Sequence, residues 1–347
     1  MTIDHFIAEQ PDVLEAVLAA VPPRLSALGS LRSARPIYLV GSGTSMNALV
    51  GVEPLFDRLV PAGVRVRGPL AFLAEVAEEP RRKGIGIFLS QTGTSATTVE
   101  ALRRARTLDW RTVTLTAERQ SPIAAAAGEL VAIPVGGEPV GPKTKGYTAS
   151  VLTLLLLAHA LAGEGTDLAG FTADLGRLIA YARGAVAELA ETCEGGDFFM
   201  VMGQGRHYGT ALEGSLKLSE MSGVAAAAFD TEEALHGRFH GLGMFSVALF
   251  IAATPVQHDL AATGAAVLAD LGVRSRILNL APSLPGPHDF PLPWPATDRY
   301  PELDLISAIV PFQLLACELA RRKGLQPERM RYPELSTRLR IKITGTR

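Results

Sequence analysis

The sequence predicts an α/β fold built from two doubly wound units, each a parallel sheet with helices on both faces. Short apolar runs rich in Val, Ile and Leu are bounded by turn residues and separated by segments with helical periodicity. The pattern restarts in the second half of the 347-residue chain, after a long helical stretch. Each half opens on a buried strand that ends in G-x-G, Ile37–Gly43 and Phe198–Gly205, with the first glycines 162 positions apart. This repeat favours a duplication, and chance recurrence of a common α/β turn is the alternative.

The apolar runs predict the strands, and the spacing of apolar residues predicts the helices. Strands are expected at Pro36–Val40, Gly84–Leu89, Thr112–Leu115, Val131–Val135, Phe198–Met202, Val247–Ala252 and Val273–Leu278. Helical segments are expected at Thr98–Leu108, Lys145–Glu194, Gly209–Met221 and Leu303–Lys323. The run Val151–Gly163 is shorter than the roughly 20 residues that span a bilayer, which predicts a buried core helix. Pro and Gly are dense in Ala281–Tyr300, which predicts a surface loop.

Composition excludes several classes of protein. The chain has 33 Lys and Arg against 35 Asp and Glu, without a local basic run, so it lacks the cationic surface that nucleic-acid binding needs. Because 48% of the residues are hydrophobic, global disorder is excluded. Cys193 and Cys317 stand far apart, so no disulfide framework is encoded and a reducing cytoplasm is expected. Neither a secretory signal nor a membrane partner is predicted.

The two glycine turns do not fit a dinucleotide site. The turn at Gly41–Gly43 lacks the third glycine of G-x-G-x-x-G and has no acidic residue about twenty positions later to hold a ribose. The turn at Gly203–Gly205 also lacks the third glycine. Hydroxyls stand at the first turn instead, on Ser42, Thr44 and Ser45. At a strand-to-helix junction, free N–H groups and the helix dipole favour an anion there.

A second hydroxyl-rich loop follows the strand at Gly84–Leu89. Four hydroxyls and an amide surround one glycine in Ser90-Gln91-Thr92-Gly93-Thr94-Ser95, and a helix is expected to begin at Ala96. Such a loop can hold a phosphate with neutral donors, backbone N–H groups and a helix N-terminus. An ordinary N-cap would explain one hydroxyl. Two such loops after strands expected to be neighbours favour a phosphate site.

Acid–base candidates lie in the second half. Glu220 is near the end of an amphipathic helix, and His236 stands at the end of a short one, where it could donate to a carbonyl or face a ligand. Asp230 and Glu233 have the spacing of a capping box, so Glu233 is expected to be structural. His240 follows His236 by four residues, but the Glu of H-E-x-x-H is absent, so no metal site is predicted.

Five motifs in order resemble the tandem sugar-isomerase (SIS) domain family. They are GSGTS (Gly41–Ser45), SQTGTS (Ser90–Ser95), PKTKGYT (Pro142–Thr148), ALEGSLKLSEMS (Ala211–Ser222) and EEALHGRF (Glu232–Phe239). The family includes the isomerase half of glucosamine-6-phosphate synthase, SIS-type glucosamine-6-phosphate deaminases, and deglycases of phosphorylated Amadori compounds. The resemblance implies a helical segment at 1–29, SIS domains at 30–165 and 190–325, and a tail at 326–347 that closes the active site.

The resemblance also assigns roles to individual residues. Phosphate binding falls to the hydroxyl loops: Thr44, Ser45, Ser90, Gln91, Thr92 and Ser95. Glu220 is implied to move protons at C1 and C2, and His236 to assist ring opening in the site of a neighbouring subunit, which implies a homodimer. Lys342 matches a lysine that can form a Schiff base with an open-chain keto sugar, although Thr337 replaces the family's proline and the leucine register is shifted by one.

Two further departures bear on the substrate. Arg238 replaces the proline of the family's H-G-P motif. It is either a solvated arginine or the partner of a second anionic group on the substrate. Lys143, expected beside the substrate, stands where relatives carry a small or hydroxyl residue.

The expected function is therefore a cytoplasmic enzyme that needs no metal and no organic cofactor and that acts on an amino-sugar 6-phosphate. The best single expectation is the conversion of glucosamine 6-phosphate to fructose 6-phosphate and ammonia. A deglycase of 6-phosphorylated fructosamine-type amino-acid adducts is the first alternative, and a non-catalytic phosphosugar-binding regulator is the second. Full synthase activity is not expected, because the sequence contains no glutamine-hydrolysing half.

Overall fold

The structure is a computed structural model that describes residues 2–26, 28, 36–60, 63–79, 81–165, 167–281, 286–292 and 301–343. The chain divides into two compact units. The first unit, which contains both hydroxyl loops, is made of Asp12–Glu138, Lys145–Asp167 and Tyr332–Arg347. The second unit is made of Met1–Pro11, Pro139–Thr144 and Leu168–Arg331.

Helices and strands alternate along both halves of the chain. The first half has α1 (Ile3–Ala8), α2 (Gln10–Ala20), α3 (Pro22–Ser26), β1 (Ile37–Val40), α4 (Thr44–Leu59), β2 (Val64–Arg67), α5 (Pro69–Glu78), β3 (Ile85–Leu89), α6 (Ala96–Thr107), β4 (Arg111–Thr116), α7 (Pro122–Ala126), β5 (Glu129–Ala132) and α8 (Lys145–Ala162). The second half has α9 (Phe171–Cys193), β6 (Phe198–Met202), α10 (Arg206–Ser222), β7 (Ala225–Phe229), α11 (Thr231–Leu235), β8 (Ser246–Ala252), α12 (Pro255–Asp270), β9 (Arg274–Asn279), β10 (Asp289–Pro291), α13 (Asp304–Arg322) and α14 (Leu335–Arg338).

Each unit contains one five-stranded sheet in which every described pairing is parallel. The orders are β2-β1-β3-β4-β5 and β10-β9-β8-β6-β7. Numbered from its own first strand, each sheet has the order 2-1-3-4-5, so the predicted α/β fold of two units is confirmed. The strand order reverses between β1 and β3 and between β6 and β8. Open α/β sheets bind ligands beyond the carboxyl ends of the strands at such a reversal.

The same glycine turn follows the first strand of both sheets. Gly43 has φ 58° and ψ −135°, and Gly205 has φ 56° and ψ −126°. Residues with a Cβ rarely adopt this backbone conformation, so glycine is required at both positions. The matching turn supports the duplication that the sequence suggests.

The structure corrects several predicted element boundaries. Three strands escaped prediction. In β2, Val and Arg alternate, and β7 is mostly alanine and so lacks the β-branched residues typical of strands; the third is β10. The strand expected at Val131–Val135 is found at Glu129–Ala132. The predicted loop Ala281–Tyr300 contains β10, which pairs with β9, while residues 282–285 and 293–300 lie outside the described residues. The helical stretch 145–194 is two helices, α8 and α9.

The apolar helix α8 is a core element of the first unit. Its run Val151–Leu157 is buried, and it packs against α4. Among the described residues it is the one helix long and apolar enough to cross a membrane, and 83% of that window is buried within the protein. This burial confirms the prediction of a core helix.

Candidate functional site

The structure brings together the two hydroxyl loops of the first unit. Ser42 follows β1 and Ser95 follows β3, and their Oγ atoms lie 3.2 Å apart. Ser95 Oγ is also 2.9 Å from Thr98 Oγ1. Thr92 Oγ1 and Thr94 Oγ1 lie 3.0 Å apart on the same loop. The hydroxyls therefore line the carboxyl ends of the two strands at which the sheet order reverses.

The Ser95 hydroxyl does not act as an ordinary helix cap. Ser95 is the N-cap residue of α6, but its side chain accepts no hydrogen bond from the first turn of that helix. No side chain caps α4 at Gly43 either. Helix capping is the alternative explanation for these hydroxyls, and it does not account for Ser95. The Ser95 hydroxyl bonds to the hydroxyls of Ser42 and Thr98 instead.

The backbone of the second hydroxyl loop is held in one conformation. Gly93 has φ 66°, and a Cβ there would lie 2.1 Å from Ser121 Oγ. The Gly93 N–H donates to Ser90 O at 3.1 Å, and Gly93 O accepts from Ile123 N at 3.0 Å. The carbonyl of Gln91 accepts from Thr116 Oγ1 at 3.1 Å. A loop fixed in this way does not need to be ordered when a ligand binds.

The Gln91 side chain is oriented by Glu138, a buried carboxylate that the sequence analysis missed. Gln91 Nε2 donates to Glu138 Oε2 at 3.3 Å. The same oxygen accepts from Gly146 N, in the first turn of α8, at 3.2 Å. Gln91 lies directly on Gly146, where a Cβ would come within 1.8 Å of its Nε2. One amide hydrogen of Gln91 is thus used inside the protein, and the other, with the amide oxygen, stays available for a ligand. The contact joins residues 47 positions apart, and no local spacing signals it.

The C-terminal tail pairs with the second hydroxyl loop. Lys342 forms an antiparallel bridge with Ser95. Ile343 N donates to Thr94 O at 2.7 Å, and Ala96 N donates to Ile341 O at 3.1 Å. The first N–H of α6 is therefore occupied by the tail, so fewer helix N–H groups face a ligand than the sequence predicts. The exposed Lys342 side chain begins from a backbone fixed beside Ser95.

The acid–base candidate of the second unit belongs to a buried charged cluster on α10. Lys217 Nζ lies 3.2 Å from Glu213 Oε1 and 2.5 Å from Glu220 Oε2. The i,i+4 and i,i+3 spacings place all three on one helix face. Lys217 and Glu213 are fully buried, whereas 21% of the Glu220 side chain is exposed.

The charges of this cluster are set by its geometry. Burial lowers the pKa of Lys217, but the charges and hydrogen bonds of Glu213 and Glu220 outweigh burial and raise that pKa above its ordinary value. Lys217 is thus a cation that donates to Glu220, the one carboxylate of the three-residue cluster that reaches solvent. The E-x-x-x-K-x-x-E spacing was present in the sequence, but only the fold shows that Lys217 is buried.

His236 lies at the end of α11, as predicted. Asp230 caps the start of that helix and accepts from Glu232 N at 3.0 Å and from Glu233 N at 3.5 Å, which confirms that Asp230 is the N-cap. The His236 side chain is exposed. Within the part of the chain that the structure describes, no hydrogen bond or ion pair joins His236 to Glu220. The two acid–base candidates are therefore not brought into direct contact in one chain.

Lys143 is placed differently from the hydroxyl loops. It belongs to the second unit, it is half-buried, and its Nζ donates to Val140 O at 2.8 Å. Its predicted role in substrate binding stays a prediction.

Comparison with known proteins agrees with the predicted family. Residues 30–160 match the family model described as SIS domain. The glutamine–fructose-6-phosphate aminotransferase (isomerizing) of Gloeobacter violaceus is 29% identical over 352 residues, which cover 94% of this chain and 56% of that relative. The chain therefore spans little more than half the length of the curated relatives it matches.

Two solved structures share the fold. Glucosamine-6-phosphate deaminase from Thermotoga maritima has a TM-score of 0.76 at 19% identity and covers 96% of this chain, which covers 98% of it in turn. The tagatose-6-phosphate ketose/aldose isomerase of Escherichia coli has a TM-score of 0.77 at 17% identity, with coverages of 94% and 95%. At such identities the likeness concerns the fold alone. These findings confirm the family resemblance and the fold predicted from the sequence.

Proposed function

Because residues 30–160 match the SIS-domain model and the relatives matched along more than nine-tenths of the chain are aminotransferases of the isomerizing type, we propose that the chain moves a proton between C1 and C2 of an amino-sugar 6-phosphate. The reaction that fits best converts glucosamine 6-phosphate and water to fructose 6-phosphate and ammonia. The observation that carries this proposal is the Glu220 carboxylate, which is held by the buried cation Lys217 and is partly exposed near one end of α10. A carboxylate oriented by a fixed donor is suited to general base catalysis.

The phosphate of the substrate is assigned to the hydroxyl loops of the first unit. Hydroxyl donors there stand on Ser42, Ser90, Thr92 and Ser95. Thr44 and Ser45 begin the next helix, α4, whose N-cap residue is a glycine without a capping side chain. Neutral donors and helix N–H groups can stabilise a phosphate without a cation. Binding through the phosphate leaves the sugar carbons free to react.

The chemical steps follow from the open-chain sugar. Glu220 takes the proton from C2, the electron pair forms a C1–C2 double bond as the C1–O double bond opens, and O1 takes a proton, which gives an enolamine. Return of the proton to C1 moves the double bond to C2 and nitrogen, and water then adds to C2 as the C–N bond breaks. His236 is proposed to transfer the proton during ring opening, supplied by a second copy of the chain in a homodimer, and Lys342 is proposed to contact the open-chain carbonyl. No step requires a metal, and a cytoplasmic location is proposed on the sequence alone.

Two alternatives use the same fold. A phosphosugar-binding regulator would need the hydroxyl loops but not an exposed carboxylate supported by two buried charges, which are costly to desolvate. The Glu213–Lys217–Glu220 cluster therefore counts against a regulator. A deglycase would use the same proton transfer, and Arg238, which stacks on Phe229 and pairs with no carboxylate among the residues that the structure describes, favours it.

The experiment measures ammonia and fructose 6-phosphate released from glucosamine 6-phosphate by the purified protein. Glu220→Gln is expected to lower kcat on the order of 10²–10⁴-fold, because the general base is lost. Glu233→Gln, which changes an exposed acid on α11, is the matched control and is expected to keep wild-type turnover. Wild-type turnover by Glu220→Gln would overturn the mechanism, and binding of fructose 6-phosphate without any turnover would favour the regulator.

A further inference from the structure

Thr98 is a fully buried threonine of α6 whose hydroxyl does not bond as helical threonines usually do. A threonine in a helix usually donates to a carbonyl three or four residues before it. Other helical threonines of this chain do so: Thr107, Thr148, Thr153 and Thr263. The Thr98 hydroxyl lies 2.9 Å from Ser95 Oγ instead, and among the described residues it has no other partner. A buried residue of the helix therefore bonds to a side chain of the second hydroxyl loop.

Burial sets the direction of the bond between Thr98 and Ser95. A hydroxyl hydrogen that is buried without an acceptor costs free energy, because it has lost its bond to water. Ser95 Oγ is the one acceptor that Thr98 has within the described part of the chain. The Thr98 hydroxyl therefore donates, and Ser95 Oγ accepts.

This direction decides what Ser95 can offer to a ligand. A hydroxyl has one hydrogen and accepts through its two lone pairs. Because Ser95 Oγ accepts from Thr98, its own hydrogen is not used in that bond. Without a ligand, this hydrogen can bond to Ser42 Oγ, which lies 3.2 Å away. The oxygens of a deprotonated phosphate only accept, so a phosphate can take the hydrogens of both serines.

The same bond keeps the Ser95 hydroxyl from capping α6. Ser95 is the N-cap residue and Thr98 the N3 residue of that helix, and a serine at the N-cap usually accepts from the backbone N–H of N2 or N3. Ser95 accepts no such bond. The side-chain hydroxyl of the N3 residue bonds to Ser95 Oγ in place of the backbone N–H. The helix thus loses the stabilisation of a side-chain cap, and the serine hydroxyl stays beside Ser42.

We infer that Thr98 is a positioning residue of the phosphate site, which holds the Ser95 hydroxyl as a hydrogen-bond donor for the phosphate of the substrate. Thr98 acts through Ser95 and does not touch the ligand, because its own hydroxyl is buried. This role rests on the proposed function, which assigns the phosphate to the hydroxyl loops, and it is independent of the chemistry assigned to Glu220. Both residues and both loops belong to the first unit.

Thr98→Val tests this role, because it removes the hydroxyl and keeps the branched shape of the side chain. Calorimetry with fructose 6-phosphate is expected to show an affinity roughly fivefold weaker than that of the wild type, since one oriented hydrogen bond to the phosphate is lost. Thr98→Ser keeps the hydroxyl and is expected to restore the wild-type affinity. Thr107→Val makes the same substitution at the other end of α6 and is the matched control, with wild-type affinity expected.

Stability and kinetics distinguish positioning from a structural role. Thr98→Val is expected to unfold at or above the wild-type midpoint in thermal denaturation, because the released Ser95 hydroxyl can then cap α6. In turnover of glucosamine 6-phosphate, the variant is expected to raise KM and to leave kcat unchanged, as for a contact made equally in the ground state and the transition state.

A double-mutant cycle tests whether Thr98 acts through Ser95. In a Ser95→Ala background, Thr98→Val is expected to change the affinity for fructose 6-phosphate by less than about twofold, because no serine hydroxyl is left to orient. The Thr98 hydroxyl of Ser95→Ala can turn to a helix carbonyl, as the other helical threonines do. A loss in this background as large as in the wild type would show that Thr98 acts through packing, and it would overturn the positioning role.

The remaining outcomes separate this role from the proposed function. Wild-type affinity in Thr98→Val would overturn the positioning role and leave the proposed reaction intact. If the wild-type protein binds fructose 6-phosphate but does not convert glucosamine 6-phosphate, the proposed reaction fails, and the affinities of the variants still decide the role of Thr98. If the wild-type protein does not bind fructose 6-phosphate, the phosphate assignment fails and the role of Thr98 fails with it.

Discussion

The two units place different side chains on the same backbone turn. In the first unit, Ser42 lies beside Gly43 in this turn, and its hydroxyl bonds to Ser95, which follows β3 and bonds to Thr98 in turn. In the second unit, the turn at Gly205 leads into Arg206 and His207, and both bind the carboxylate of Asp304.

The second strand end at each reversal point differs in the same way. Ser95 follows β3, and its hydroxyl does not cap α6. Thr254 follows β8, and its hydroxyl accepts from Gln257 N at 3.2 Å as an ordinary N-cap of α12. The backbone at both reversal points has the geometry of an anion site. In the second unit the side chains there form ion pairs with Asp304 and a helix cap at Thr254 instead.

The two units therefore differ in what their turns do. In the second unit the Arg206–Asp304 ion pair joins the start of α10 to α13, and the partly exposed carboxylate of Glu220 lies at the other end of α10. The first unit keeps neutral donors at its turn. The fold therefore explains where a site can form, and the residues decide whether one does.

Asp304→Asn breaks the ion network of the second turn and is expected to have the largest effect. Asp304 is fully buried and accepts from Arg206 Nε at 2.8 Å and from His207 Nε2 at 3.1 Å. Its loss is expected to lower the free energy of unfolding by about 3 kcal/mol, the low end for a buried ion pair, because Arg206 reaches solvent. Urea denaturation at pH 7 measures this change.

The effect of Asp304→Asn depends on pH with a defined sign. Although burial raises the pKa of Asp304, the charges of His207 and Arg206 outweigh it and lower that pKa below the ordinary value. A lowered pKa stabilises the fold above about pH 4, the unfolded value, and the stabilisation is lost as the pH falls through the folded value. The difference between wild type and variant is therefore expected to shrink below pH 4. A constant difference from pH 7 to pH 3 would contradict this assignment.

The positions of the hydroxyl loops and of Glu220 in the fold could be predicted from the sequence, but the residues that contact them could not. Strand, turn and helix signals are local, so they place Ser42 and Ser95 after strand ends without reference to any long-range contact. The partners of Gln91 and Arg206 are Glu138 and Asp304, which stand 47 and 98 positions away. Contacts between residues so far apart in sequence depend on the order of the strands in the sheet, and the hydrophobic periodicity of the sequence does not indicate that order.

Replacing each turn glycine with alanine separates the effect of the turn's backbone conformation from the effect of the neighbouring side chains. Gly43 and Gly205 have nearly the same φ and ψ, and a Cβ at either position meets nothing within 4 Å. Gly43→Ala and Gly205→Ala are therefore expected to cost a similar amount, about 1–3 kcal/mol of backbone strain. Only Gly43→Ala is expected to weaken binding of fructose 6-phosphate, measured by calorimetry. Equal loss of affinity in both variants would show that the second turn also binds the phosphosugar.

Removing one hydroxyl from each reversal point is expected to give the smallest effects, and the two variants are expected to affect different properties, stability in one and affinity in the other. Thr254→Ala loses a side-chain cap and is expected to lower the free energy of unfolding by about 1 kcal/mol, with affinity for fructose 6-phosphate unchanged. Ser95→Ala loses no cap and is expected to change stability by less than about 0.5 kcal/mol, while affinity falls roughly fivefold to tenfold as a phosphate hydrogen bond is lost. Thermal denaturation and calorimetry on both variants check the pair. Weaker binding by Thr254→Ala without loss of stability would show that Thr254 binds the ligand instead of capping α12. Loss of stability in Ser95→Ala with unchanged affinity would show that Ser95 has a structural role only. Either result would contradict the roles assigned to the two units.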